Sequence, residues 1–389
     1  MTQNVTSCPR RVLYVVGEDQ AFLLGRLPMA RAAKAAGFEV HVATSNNGLA
    51  STIETEGFIV HDVPFRRGSL SLIAAIRTVL ALRCVEEKIE PSVIHHVGLQ
   101  SCFYGSLATA GRNFPQVNGM TGLGYIFTSA NFKPRLLRAI IGQILPALLN
   151  RRSSVVLVEN PDDRTVLANL GVNDKDLIVI SGSGVDTDRF QPLPEPEAPI
   201  TFGFVGRLLK DKGVRALVSA HQILKNRGYD FRLLIIGKPD PANPSSISDK
   251  EVKEWSQRPG IFYLGYIKDI TELWERCHFA VLPSHREGLP ISLLEAAACG
   301  RAMITTDAPG CREIVIQDET GLLVPIDNPE ALASAILCLA NSPTLRARYA
   351  AAARKLVVER LSAKIVGAAT VDLYNKLLLA SQPNFNSNS

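Results

Sequence analysis

Short β-branched runs alternate with helix-patterned stretches along almost the whole chain. Arg11–Val16 is strand-like and ends at Gly17, Phe22–Ala36 has helical apolar spacing and stops near Gly37, and Phe38–Ala43 is strand again. The rhythm continues through strands at Ile59–Val63, Ser92–His96 and Val117–Met120, with helices at Leu70–Glu87 and Gln100–Gly111 between them. Val155–Val158, Pro161–Leu170 and Leu177–Ile180 repeat it once more beyond Asn150. Strand, helix, strand in this order predicts a parallel, doubly wound sheet, because parallel neighbours need a crossover and a helix supplies it. The Pro- and Glu-rich segment Gln191–Pro199, QPLPEPEAP, interrupts the pattern and reads as a linker. The rhythm then restarts with strands at Ile200–Val205, Phe231–Ile236, Ile261–Leu264, Phe279–Leu282 and Met303–Thr305, and closes with helices at Leu332–Leu339 and Leu345–Val358.

The expected architecture is therefore α/β, with two Rossmann-like, doubly wound domains at residues 1–190 and 200–362. The 389 residues suffice for two domains of ordinary size. Ligands of such sheets bind outside the carboxyl ends of the strands, so the two domains are expected to face each other across a cleft. The composition, 46% hydrophobic and 20% charged, is that of a globular chain rather than a disordered one. A net charge of +5 suits an anionic substrate or an anionic membrane surface. No interleaving of basic and aromatic residues suggests a nucleic-acid groove. The seven Cys are scattered without metal spacing and read as reduced thiols, so a cytoplasmic location is expected. Met1–Arg11 lacks the apolar core of a signal peptide, and no stretch approaches the ~18 apolar residues of a membrane span.

The chemistry concentrates in Ser284–Gly300, SHREGLPISLLEAAACG. A strand runs into it and Pro283 closes that strand. The loop His285–Pro290 follows, with Pro290 suited to the first turn of a helix that ends at Gly300. A Gly-containing loop between a strand and a helix N-terminus offers outward N–H groups to an anion. Two carboxylates bracket it, Glu287 in the loop and Glu295 in the early helix. Beside a phosphate site they need hydroxyl partners, and sugar hydroxyls fit, since an ionised carboxylate only accepts. Earlier in the chain, Gly206-Arg207-Leu-Leu-Lys-Asp-Lys212-Gly213 also follows a strand and opens a helix. Its glycines allow close backbone approach, and Arg207 and Lys212 supply a fork and a point charge.

Glu287-Gly-Leu-Pro-Ile-Ser-Leu-Leu-Glu295, with the flanking Ala-Ala-Ala-Cys-Gly and Pro309-Gly-Cys-Arg-Glu313, resembles the E-x7-E motif of the retaining glycosyltransferases of family 4. The resemblance covers nearly the whole chain and implies the GT-B fold, in which a last helix, here at about 363–380, commonly crosses back to the first domain. It implies an acceptor-binding first domain and a nucleotide-sugar-binding second one. Arg207 and Lys212 match the residues that hold the donor diphosphate, Glu295 the one that accepts the ribose hydroxyls, and Glu287 the one near the donor sugar. The resemblance favours front-face attack, with Glu287 positioning the sugar rather than acting as a nucleophile. Tyr266 and Ile267 match the loop that lines the base, Gly184 a loop near the phosphates, and Gly206, Gly288, Leu289 and Pro290 the backbone around the donor. Asp186-Thr-Asp188 sits within that loop's pattern and reads as a turn rather than a metal site.

In the first domain Gly17, His95, His96, Thr121 and Gly122 lie at strand ends. The resemblance makes the two histidines catalytic candidates, Gly17 a donor contact, and Thr121 and Gly122 acceptor-side contacts. Gly25 and Ile291 stand where relatives carry a His and a Lys, and Ala302 where they carry Pro, which bears on sugar preference. No metal and no cofactor are expected. The expected reaction moves a hexose-type sugar from a nucleoside diphosphate, with UDP the expected nucleotide, to a polyprenyl-diphosphate-linked glycan of a bacterial capsule, exopolysaccharide or O-antigen. The alternatives are a nucleotide-sugar epimerase on the same fold and a non-catalytic sugar-nucleotide-binding subunit.

Phe132–Arg152, FKPRLLRAIIGQILPALLNRR, is an apolar stripe at near-helical spacing, flanked by Lys133, Arg135, Arg138, Arg151 and Arg152. Pro146 is expected to bend or break it. It reads either as a core helix on the first sheet or as a basic amphipathic element on the inner membrane surface.

Overall fold

The computed structural model describes residues 9–67, 71–121 and 142–381. The chain divides into two compact units, one running to Ser183 and resuming at Val366, the other Gly184–Ile365.

In the first unit the described strands are β1 (Arg10–Val16), β2 (Phe38–Thr44), β3 (Ile59–Asp62), β4 (Val93–Val97), β5 (Gln116–Met120), β6 (Ser154–Val158) and β7 (Leu177–Val179). They form one parallel sheet in the order β3-β2-β1-β4-β5-β6-β7. Val12, Leu13, Tyr14, Val15 and Val16 are all buried, as a strand covered on both faces requires. The stretch 22–36 is two helices rather than one, Asp19–Gly25 and Leu27–Ala35. Pro28 causes the break. It has no N–H for the preceding turn and its ring would strike it, whereas the first turn of a new helix needs no such donor. At the break Arg26 is buried, and its guanidinium donates to Glu159 at 2.8 Å and to Ser183 Oγ at 2.6 Å.

The second unit is a parallel sheet of β8 (Thr201–Val205), β9 (Arg232–Ile236), β10 (Ile261–Gly265), β11 (Phe279–Leu282), β12 (Ala302–Thr306) and β13 (Gly321–Val324), ordered β10-β9-β8-β11-β12-β13. The unit begins at Gly184, ahead of the expected linker. Val185 and Phe190 belong to its core, and the carbonyls of Leu193 and Pro194 accept from the buried Arg301. Gln191–Pro199 is thus strapped to the second unit. Its prolines mark an irregular surface path, not a free tether.

The last helix, Ala363–Ser381, sends Val366, Leu373, Tyr374 and Leu377 into the core of the first unit, beside Val12, Tyr14 and Phe38. Three short helices, Ala50–Thr55, Asp249–Ser256 and Thr271–Glu275, and strand β13 had no expectation in the sequence. Of the amphipathic stripe, residues 132–141 lie outside the described residues. Residues 142–149 are helical and continue across Pro146. Leu145 and Leu149 join the core, and Arg151 donates to the carbonyl of Ser106 at 2.5 Å. The described end of the stripe is therefore a core helix.

Candidate active site

In an open parallel sheet the ligand site lies where the strand order reverses. In the second unit that point falls between β8 and β11, and both chemistry-bearing loops leave the sheet there. After β8, Gly206 passes directly against Gly237. A Cβ at Gly237, where φ is +141°, would run into the Gly206 carbonyl oxygen. Leu208 and Leu209 are buried and anchor the loop, and the turn Lys210–Lys212 ends at Gly213. After β11, the amide of His285 donates to the Asp211 carbonyl at 2.8 Å, and that of Glu287 to the Pro309 carbonyl at 3.0 Å. Gly310 fits because a side chain there would strike the carbonyl oxygens of Glu287 and Gly288.

These backbone bonds bring Lys212 and Glu287 together across 75 residues of sequence. The Lys212 ammonium lies 2.5 Å from each oxygen of the Glu287 carboxylate. Arg207 stands on the same loop, half exposed, and donates to Asp240 at 2.9 Å. Both cations expected at a diphosphate therefore hold carboxylates here. Asp240 follows β9 and had no signal in the sequence, since a lone Asp in a Pro-rich turn carries none.

Pro290 precedes the helix Ile291–Ala298 as its cap, not as a residue of its first turn. The amides of Leu293 and Leu294 donate to the Pro290 carbonyl at 3.1 and 3.2 Å, which leaves those of Ile291 and Ser292 without an intrahelical acceptor, as at any helix start. Glu295 lies one turn in. Burial pushes its carboxyl up to about 8, Arg189 works against that shift, and Asp269 adds to it. No described residue donates a hydrogen bond to this carboxylate. Arg189 and Asp269 pair at 3.1 Å; Asp269 carried no signal in the sequence. Tyr266 follows β10, is exposed, and has the Lys238 ammonium 5.6 Å from its ring centre. Ile267 packs against the core of the unit. Asp186 accepts from the amides of Asp188 and Arg189, each at 3.0 Å, as a turn residue does.

Other candidates fall elsewhere. Gly184 has φ +74°, and a Cβ there would lie 2.7 Å from Ala363 Cα, so packing against the start of the last helix explains this glycine. Gly17 follows β1 in the first unit, with a Cβ position 3.9 Å from Gln100 Oε1. Thr121 is exposed beyond β5, and Gly122 lies outside the described residues.

The two histidines require a correction. Both imidazoles are fully buried, on opposite faces of β4. His95 Nδ1 meets Tyr374 Oη at 2.6 Å, and Tyr374 in turn donates to Tyr14 Oη at 2.9 Å. His96 Nδ1 meets Asn118 Oδ1 at 2.9 Å, and the helix Leu99–Ala108 lies so close that a Cβ at Gly105 would strike the ring. Burial drives the pKa of His95 well below the usual range and that of His96 down to about 4, so both are neutral. They are core residues, and neither reaches a surface where a substrate could touch it. Their place near the end of β4 is legible in the sequence, but which layers cover them is a tertiary fact.

The chain is similar to two family models that lie side by side along it. "Glycosyl transferase 4-like" matches residues 11–160 and "Glycosyl transferases group 1" matches residues 185–356. It is 26% identical over 368 residues to the N,N'-diacetylbacillosaminyl-diphospho-undecaprenol alpha-1,3-N-acetylgalactosaminyltransferase of Campylobacter jejuni, covering 91% of this chain and 95% of that one. It is 25% identical to the capsular polysaccharide biosynthesis glycosyltransferase CapM of Staphylococcus aureus, covering 88% and 91%. The fold is similar to that of a glycosyltransferase from Rickettsia africae, with a TM-score of 0.77 at 20% identity, covering 98% of this chain and all of that one. It is also similar to Anabaena HepE in complex with UDP-glucose, with a TM-score of 0.76 at 16% identity, covering 94% and 99%.

Proposed function

This chain is a GT-B glycosyltransferase of the group 1 and 4-like families, and from that footing we propose that it moves a sugar from a UDP-sugar to a polyprenyl-diphosphate-linked glycan with retention of configuration. A part in polysaccharide biosynthesis accords with its relatives. The Campylobacter relative is named for a diphospho-undecaprenol acceptor, and the Anabaena protein is a complex with UDP-glucose. Both support this choice of substrates.

The observation that carries the reading is the pairing of Lys212 with Glu287 at the strand-order reversal of the second sheet, with Arg207 on the same loop. In this reading the donor diphosphate displaces Asp240 and Glu287 from the two cations and takes their charge. Neutralising the departing diphosphate is the main electrostatic task of the transfer, and Arg207 and Lys212 supply it without a metal. The bond from the anomeric carbon to the phosphate oxygen breaks, and the acceptor hydroxyl attacks the same face. Its proton passes to the departing phosphate oxygen. Before the donor binds, Lys212 holds both oxygens of Glu287; once released, that carboxylate is free to accept the donor sugar's hydroxyls and orients the sugar. Glu295 accepts the ribose hydroxyls.

A donor screen that reads released nucleoside diphosphate, run with and without chelator, tests this. UDP released from a UDP-sugar in the presence of a lipid-linked acceptor, at equal rate with EDTA, is the expected result. Release only from another nucleotide would overturn the choice of UDP.

A further inference from the structure

The helix Leu72–Ile89 packs on the first sheet through Thr78, Leu82, Glu86 and Ile89, one inward stripe at helical spacing. It is firmly seated. Thr78 Oγ1 donates to the Pro64 carbonyl at 2.9 Å, and Glu86 is paired with Arg112. Its outward face should then be polar, and over the first two turns and more it is not. Leu72 is 73% exposed, Ile73 66%, Ile76 50% and Leu80 57%. These four share one side of the helix, and a contiguous exposed apolar patch marks an interaction surface.

The charges within the segment that carries the patch are of one sign. From Arg66 to Arg83 the sequence has four arginines, at 66, 67, 77 and 83, and no acidic residue. Arg67 reaches Glu18 at 3.6 Å and Arg83 reaches Glu87 at 3.1 Å. Arg66 and Arg77 are exposed and meet no carboxylate among the described residues. A second copy of the same face would offer those guanidinium groups no partner, since the patch itself holds no acid. An anionic bilayer offers both things the surface lacks, an apolar layer for the leucine and isoleucines and phosphate for the arginines.

We propose that the outward face of Leu72–Leu80, with Arg66 and Arg77 beside it, is the surface by which the first unit rests on an anionic lipid bilayer. The proposal rests on the lipid-linked acceptor reading above and gives it a place. Gln100 donates to the Arg66 carbonyl at 3.2 Å, and Arg67 approaches Glu18, which follows β1. Arg66 and Arg67, just ahead of this helix in the chain, therefore lie at the carboxyl edge of the first sheet, where ligands of such sheets bind. A glycan carried on a membrane diphosphate would meet that edge at headgroup height.

Flotation of the full chain with phosphatidylcholine vesicles, and with vesicles containing phosphatidylglycerol, tests the surface. The variants are I73S/I76S/L80S and R66Q/R77Q, with folding checked by circular dichroism and UDP affinity by calorimetry. The wild type should float with the anionic vesicles, and added salt should weaken it. R66Q/R77Q should bind roughly fivefold more weakly for each arginine lost. The serine variant should lose binding by on the order of a hundredfold, while both keep the wild-type affinity for UDP. Absence of UDP binding with vesicle binding intact would overturn the donor reading and support the surface. Three outcomes sink the surface itself. The wild type could float with neither vesicle, the serine variant could float as well as the wild type, or the wild type could be a dimer that the serine variant breaks, without vesicle binding.

Discussion

At the scale of single residues the candidate site is a set of charges already paired. If the proposed donor site is right, removing Arg207 or Lys212 deletes a charge-assisted hydrogen bond to a phosphate, worth ~1.5–3 kcal/mol. Arg207→Ala and Lys212→Ala should each raise the Kd for UDP about tenfold or more by calorimetric titration, and unchanged affinity in both would discard the phosphate assignment. Asp240→Asn should act the other way. Arg207 is half exposed, so its bond to Asp240 is worth little, ~0.2–1 kcal/mol. Freeing it should tighten UDP by at most about fivefold. The two glutamates should separate by assay. Glu287→Ala releases Lys212, so UDP binding should persist while turnover falls on the order of a hundredfold. Glu295 sets a pH dependence. Burial pushes its carboxyl up to about 8, and hydroxyl donors prefer the ionised form. UDP should therefore bind more tightly as pH rises from 7 to 9, by up to about tenfold, and Glu295→Gln should flatten the profile. A flat wild-type profile would show that the ribose does not meet this group.

At the scale of elements the site depends on close backbone crossings. Gly237 lies on the loop after β9, and its missing side chain lets the segment after β8 pass. Gly237→Ala adds backbone strain at φ +141° of roughly 1–3 kcal/mol and a collision with the Gly206 carbonyl that a shift of the Arg207 loop would have to relieve. We expect a lower melting temperature together with weakened UDP binding. Gly228→Ala is the control. Its φ is +89°, yet nothing lies within 4 Å of the added Cβ, so it should lose some stability and keep its UDP affinity. Equal UDP binding by both variants would show that the crossing does not shape the site.

At the scale of the whole molecule the last helix makes the first unit depend on the far end of the chain. Tyr374 links His95 to Tyr14 inside that core, 279 residues from its histidine partner. Tyr374→Phe leaves the buried His95 Nδ1 without its partner, at a cost of ~1–3 kcal/mol. Hydrogen exchange should then speed up selectively in β1 and β4 while the second unit keeps its protection. A uniform change across both units, or none, would show that the tie carries no local stability. Truncation after Ile365 removes Val366, Leu373, Tyr374 and Leu377 together and should expose the first core outright.

The sequence by itself determined the sheet class, the positions of most strands and the loops that carry Arg207, Lys212, Glu287 and Glu295. Those features are local, since the period of apolar residues and the Gly and Pro punctuation act within a few neighbours. The sequence could place His95 and His96 at the end of a strand. It could not show that Tyr374 and the helix Leu99–Ala108 cover them, because burial there comes from segments far along the chain. The same holds for the arginines. Sequence could mark Arg207 as a cation beside a helix N-terminus, but its bond to Asp240 follows from two strand ends meeting in space. Gln191–Pro199 looked like a tether because it is rich in proline, and the buried Arg301 fixes it to the second unit. The outward apolar face of Leu72–Leu80 was hidden in a helix that is apolar nearly all round. Only packing on the sheet decides which side of such a helix is core, and so which side is left to meet something else.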